Sequence, residues 1–180
     1  MEKEKNEEVI LTEHLLNAEA VQLFLENELG EDFDILSSTL VSDLYSTSLV
    51  VRHDIEKKVL NDENISWTGM LMMYTLWVWG ESETKVIAKR LQLAPSSVTS
   101  LTNTLEKKGL VKRLYRPTDR RLVLVKLTKS GETLLKSISL EVNKRGKVLT
   151  NSLDVTEITL LNQLLKKLLI STRSQSETEK

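Results

Sequence analysis

From Thr84 to Leu127 the sequence runs through two short helical patterns and then two β-rich runs, an order that leaves few folds open. Val86, Ile87 and Leu91 stand at helical spacing, with Lys85, Lys89 and Arg90 turned elsewhere. Gln92, Leu93 and Ala94 break the pattern. Pro95 suits the first turn of a new helix, where its missing N–H costs nothing. Val98, Leu101 and Leu105 recur at i, i+3 and i+7, which predicts one buried stripe. Lys107 and Lys108 fall at the negative end of that helix, and Gly109 reads as its stop. Two short helices joined by a three-residue turn make a helix-turn-helix. Val111 to Arg116 and Leu122 to Leu127 then read as strands, separated by Pro117-Thr118-Asp119-Arg120. Arg116 precedes a proline and is pushed toward extended geometry, which agrees with its ending a strand. This hairpin reads as the wing of a winged helix, and its tip carries Arg116, Arg120 and Arg121.

Charge follows the same segment. Residues 84–130 hold 12 bases and 2 acids, a net +10, in a chain whose net charge is −1. Residues 1–83 hold 5 bases and 18 acids. A concentration of positive charge in one short stretch is what a nucleic-acid surface needs, because phosphate neutralisation supplies most of the affinity. The plain alternative is a solvated basic face without a partner.

The flanks read as helices. Residues 1–8 are charged and expected to fray. Val9 to Leu29 is an amphipathic pattern, with Leu16, Ala20, Leu23, Phe24 and Asn27 on one face, His14 as a surface residue and Gly30 as a stop. Asp34 caps a helix expected from Ile35 to about Leu60. Asn61 to Asn64 is a loop. Ser66 caps a helix to Trp79 that is apolar nearly all round, hence central. Trp67, Met70, Tyr74 and Trp77 share one of its faces. Thr128 caps a helix expected to about Asn151. Asp154 and Glu157 form a capping-box pattern for a last helix from Val155 to about Ile170. The final ten residues read as disordered.

Several function classes are disfavoured. The chain has 180 residues and no cysteine, so it has no disulfide framework, thiolate metal site or thiol switch. Two histidines far apart in sequence are a poor start for a metal site. A Gly-rich phosphate loop and paired catalytic carboxylates are both missing, so no enzyme activity and no cofactor are expected. No signal peptide is read, and the apolar run Met70 to Trp79 is too short to span a bilayer, so the expected location is the cytoplasm with no membrane partner.

Four motifs follow one another in fixed order: IAKRL at Ile87 to Leu91, APSSVTSLTNTLEKKGLV from Ala94 to Val111, DRR at Asp119 to Arg121, and LTKSG at Leu127 to Gly131. Through them the run from Ile65 to Gly131 resembles the MarR family of bacterial transcriptional regulators. A weaker likeness extends from about Asp34 to Ile170. The expected fold class is α+β, mostly α: a winged helix-turn-helix with long dimerisation helices at both ends. The resemblance implies a homodimer on palindromic operator DNA, acting as a repressor. It divides the chain into an N-terminal extension (1–30), a first dimerisation helix (31–64), a DNA-binding lobe (65–130), C-terminal dimerisation helices (131–170) and a tail (171–180). The leucine-rich face of Leu160, Leu161, Leu164, Leu165, Leu168 and Leu169 suits an interlocked second subunit.

The second helix of the motif is expected in the major groove, with Pro95, Ser96, Ser97, Thr99, Ser100 and Asn103 facing the bases, and Asn103 able to pair with adenine. Lys112, Arg113, Arg116, Arg120 and Arg121 are expected at phosphates or in the minor groove. The resemblance gives Asp119 the role of orienting the wing by pairing with Arg121; a turn-favouring aspartate is the alternative. Ala94 stands where the family more often has Ser or Thr, and Ser100 where it has an arginine, so direct base readout is expected to be thinner. For Trp67, Met70, Tyr74 and Trp77 the plain reading is core packing. The functional one, which the resemblance supports, is a pocket for an aromatic or amphipathic effector, completed by Tyr45, Leu49, Arg52 and His53. A winged helix that only binds proteins is the competing function.

Overall fold

Polar side chains start the long helices where the sequence places them. The computed structural model describes residues 20, 21, 23–25, 27–30, 33–116 and 119–178, and for 116, 119–122 and 173–178 the backbone alone. The fraying expected at residues 1–8, the first half of the N-terminal helix with His14 and Leu16, and the Pro117-Thr118 turn lie outside the described residues. The chain divides into two compact units, Met1–Val51 and Arg52–Lys180.

In the first unit the described residues between 20 and 29 are helical, and Gly30 follows with φ +70°. Leu23 and Phe24 are exposed. Helix α1, Ile35–Ile55, begins at Asp34, whose Oδ1 accepts from the Ser37 backbone N–H at 3.2 Å. Its last turn, from Arg52, belongs to the second unit and passes without a break into a π-helical segment, Glu56–Leu60. The wider i→i+5 turn brings residues five apart toward one side, and Ile55 and Leu60 are both buried.

In the second unit, α2 (Trp67–Trp79) is capped by Ser66, whose hydroxyl accepts from Gly69 N at 3.1 Å. Met70, Met72, Met73 and Leu76 are buried and make α2 the centre of the core. Burial of each contributes roughly 1.5–3 kcal/mol. The expectation of an all-round buried helix fails at its end, where Trp77, Val78 and Trp79 are exposed. Strand β1, Ser82–Glu83, was not legible in the sequence; two residues are too few to show alternation. Helices α3 (Thr84–Leu91) and α4 (Pro95–Lys107) follow, joined through Gln92 in the left-handed conformation.

Strands β2 (Val111–Arg116) and β3 (Asp119–Leu127) form the hairpin, and the sheet order is β1-β3-β2, all antiparallel. Val111 pairs with Leu127 and Tyr115 with Val123, after which the register shifts so that Arg116 faces Asp119. The second strand therefore starts before Leu122, because the irregularity admits extra residues on β3 without ending the ladder. Helix α5, Lys129–Leu149, starts at Thr128, which accepts from Gly131 N at 3.0 Å. Helix α6, Val155–Thr178, starts with a reciprocal box: Glu157 N donates to Asp154 Oδ1 at 2.9 Å and Asp154 N to Glu157 Oε2 at 2.8 Å. It runs through residues 171–178, expected without secondary structure. Extending an existing helix is far easier than nucleating one, and that stretch holds no Pro or Gly to stop it.

Candidate nucleic-acid interface

The two helices of the motif are set by their ends. Ala94, the residue before α4, has no side chain to cap it, and Pro95 occupies the first turn. At the other end Gly109 takes φ +70°. Its N–H donates to Glu106 O at 2.9 Å and that of Leu110 to Leu105 O at 2.9 Å, with Leu105 and Leu110 both buried. This pair of bonds closes the helix and turns the chain into β2.

Helix α4 is buried on Val98, Thr102 and Leu105. The sequence pattern favoured Leu101, which is only half-buried. Thr102 takes its place because its hydroxyl donates to Val98 O at 2.7 Å, so no buried polar atom is left unpaired. The opposite face carries Ser96, Ser97, Thr99, Ser100 and Asn103, all exposed. Thr99 Oγ1 donates to Pro95 O at 3.0 Å and so offers only acceptor capacity outward. The hydroxyls of Ser96, Ser97 and Ser100 meet no partner among the described residues and remain able to donate or accept.

The basic residues separate into two groups. Some are engaged within the chain. Lys85 pairs with Glu83 at 2.9 Å, which raises the lysine's pKa; Lys126 pairs with Glu81 at 3.5 Å and Lys129 with Glu132 at 3.7 Å. Lys108 Nζ donates to Glu63 O at 3.1 Å and Asn64 O at 2.7 Å, tying the loop before α2 to the end of α4. Arg90 lies 4.8 Å over the Trp79 ring and donates to Ser82 Oγ at 3.3 Å. Arg113 meets Glu106 and Asn103 and is mostly buried. Lys89, Lys107 and Lys112 are exposed. The backbone places Arg116, Arg120 and Arg121 on the hairpin, while their side chains, and the expected pairing of Asp119 with Arg121, lie outside the described residues. Sequence reasoning missed the roles of Lys108 and Arg113 because their partners are set by the fold.

The hairpin and α5 are locked to the end of α4. Thr128 Oγ1 donates to Gly109 O at 2.7 Å and Thr128 N donates to Leu110 O at 3.0 Å. A Cβ on Gly131 would collide with Leu110 O, so the LTKSG stretch needs its glycine for close backbone approach.

The expected pocket residues are distributed over both units. Tyr45 and Leu49, in the first, are exposed. In the second, Met70 is buried and Trp67 and Tyr74 are half-buried. Trp77 is 40% exposed, with its ring 6.2 Å from that of Tyr74 and 5.9 Å from Lys136 Nζ. Tyr74 donates to Ser139 Oγ at 2.6 Å. Arg52 pairs with Glu56 at 3.4 Å, and Glu56 also accepts from the Trp67 backbone N–H at 2.8 Å. His53 lines an open cavity of about 450 Å3 with Glu56, Lys57, Asn61, Asn64, Ile65 and Ser66. No group of His, Asp and Glu able to hold a metal is found among the described residues, and none of their helices is long and apolar enough to cross a membrane.

Known proteins share this arrangement. The family model described as MarR family matches residues 65–123. The uncharacterized HTH-type transcriptional regulator YwaE of Bacillus subtilis is 31% identical over 137 residues, covering 76% of this chain and 80% of that protein. The HTH-type transcriptional regulator MgrA of Staphylococcus aureus is 29% identical over 135 residues, 74% of this chain and 90% of the relative. Among solved structures, a mutant MarR from E. coli complexed with operator DNA superposes with a TM-score of 0.61 at 26% identity, over 72% of this chain and 95% of that one. With the helix-turn-helix, the wing and the locked LTKSG turn in place, the chain belongs to the MarR family of transcriptional regulators.

Proposed function

We propose that this protein regulates transcription as a cytoplasmic homodimer bound to palindromic operator DNA, that it represses, and that a small molecule releases it. The observation that carries DNA binding is the exposed polar face of α4 (Ser96, Ser97, Ser100, Asn103) lying beside a hairpin that holds Lys112, Arg116, Arg120 and Arg121. A helix inserts its polar face into the major groove while the wing reaches phosphates and the neighbouring minor groove. The leucine face of α6, exposed in the single chain, supports a second copy of the chain as its cover. Residues 31–64 and 131–170 then serve dimerisation and 65–130 reads DNA. Homologues are regulators, and we extend to this chain a role without catalysis or cofactor.

Fluorescence anisotropy on operator-containing and mixed-sequence duplexes, over a range of salt, tests this. Roughly 6–10 phosphate contacts should give a log–log salt slope of about −0.9 per contact. A flat slope would remove DNA binding and leave the protein-interaction reading. The effector is proposed to be aromatic or amphipathic, with Arg52, His53, Trp67, Met70, Tyr74 and Trp77 of the second unit as its candidate contacts. The partial exposure of Trp77 beside Tyr74 and Lys136 supports this. A compound that quenches tryptophan emission and weakens operator binding over one concentration range is the expected result; it must prefer the DNA-incompetent state by about 1.4 kcal/mol for each tenfold loss.

A further inference from the structure

Asn103 stands on the exposed face of α4, yet its amide oxygen is already in use. Arg113 on β2 donates from Nη2 to Asn103 Oδ1 at 2.6 Å. Arginine carries only donors, so the amide atom turned toward it must be the oxygen. The guanidinium is itself held in place. Its Nη1 pairs with Glu106 Oε2, the Arg113 backbone N–H donates to Glu106 Oε1 at 2.9 Å, and the side chain is only 19% exposed. Glu106 follows Asn103 by one helical turn, so both residues face the same arginine. Swinging Arg113 away would break a charge-assisted bond. Oδ1 keeps only its second lone pair, beside a fixed guanidinium, whereas Nδ2 is wholly open: its two N–H groups donate to no described residue.

Asparagine reads adenine with both ends of its amide: the oxygen accepts from N6 and the nitrogen donates to N7. With the oxygen bound to Arg113, half of that pair is taken, and the remaining donors meet an adenine edge that also presents a donor. Guanine presents N7 and O6, both acceptors, side by side. We propose that Arg113 makes Asn103 a donor-only reader, so that Asn103 selects guanine, and not adenine, in the major groove. Arg113 is the positioning residue and Asn103 the one that touches the base. This deepens the DNA-binding reading and rests on it.

Selection of bound duplexes from a randomised library tests it, using the full-length wild-type chain, Asn103→Ala, Asn103→Asp and Arg113→Met, each checked for folding by circular dichroism. Asn103→Ala identifies the base position, as the one whose preference disappears. At that position the wild type should favour guanine over adenine by about fivefold or more. Arg113→Met frees Oδ1 and should move the preference there toward adenine, with other positions unchanged. If Arg113→Met does not fold, Asn103→Asp decides: it keeps one oxygen for Arg113 and puts a second, acceptor-only oxygen where both donors were, and should exchange guanine for cytosine, whose N4 is a donor. Adenine in the wild-type selection would mean that the second lone pair of Oδ1 still serves a base, and overturns the proposal. So does an Asn103→Ala selection identical to wild type, or guanine retained by Asn103→Asp. A wild-type chain that enriches no sequence overturns the DNA-binding reading itself, a result distinct from a sequence-specific chain that reads adenine.

Discussion

Arg145 holds Asp54 with two parallel bonds, Nε to Oδ2 at 2.5 Å and Nη2 to Oδ1 at 2.7 Å, joining α5 to the last α-helical turn of α1. The guanidinium bond keeps the Asp54 carboxyl below its ordinary pKa of 3.8. A carboxylate with a depressed folded-state pKa stabilises fully above its unfolded value, and that contribution is lost as pH falls through the folded value. Asp54→Asn should therefore melt below the parent at pH 7, with the gap closing below about pH 4. Thermal unfolding from pH 7 to pH 3 checks this, and a gap that stays constant would show that the ion pair contributes nothing.

Gly131→Ala should destabilise the second unit by roughly 1–3 kcal/mol, the usual cost of overpacking, because its new methyl would meet the Leu110 carbonyl, which cannot move aside as the Leu127 side chain beside it can. Urea unfolding should show a lower midpoint with an unchanged slope. Parent-like stability would mean that the turn shifts at no cost.

Lysines and arginines of the basic segment should divide by function. Arg120→Ala and Arg121→Ala are each expected to weaken operator binding with folding unchanged, and to reduce the salt slope by about 1. Lys108→Ala should instead lower stability, since Lys108 holds the carbonyls of Glu63 and Asn64. Ser97→Ala should relax preference at one base position. Equal binding by both arginine variants and the parent would remove the wing from the interface.

Leu161→Lys with Leu165→Lys should convert a dimer into a monomer, since both residues lie on an apolar face that the single chain leaves partly exposed. Light scattering after gel filtration gives the mass. Footprints of the parent should cover two half-sites about one helical turn apart. A parent that runs as a monomer and protects one asymmetric half-site would contradict the two-fold arrangement.

Features whose partners lie within a turn or two of chain were legible in the residues. Asp34, Ser66, Thr128 and Asp154 start helices, Pro95 opens α4, and Gly109 closes it, because caps and stops are satisfied by atoms three to five residues away. Helix spacing, the hairpin and the segregation of charge follow from the same local reading. The third strand was hidden, since Ser82 and Glu83 are a strand only because Val125 and Leu124 pair with them.

Only the tertiary structure decided which side chains are free to act. Lys108 and Arg113 count as two cations in the sequence, yet one is bound to carbonyls some 45 residues upstream and the other to Glu106 and Asn103. Asn103 has the composition of an adenine reader, and the fold takes its oxygen. Thr102 has the look of a surface residue and is buried because its hydroxyl finds Val98 O. Composition and spacing determined the winged helix-turn-helix, because caps, turns and periodicity act over short range. They left the donor and acceptor inventory of its surface undetermined, because a hydrogen bond between distant residues depends on distances that only the packed chain sets.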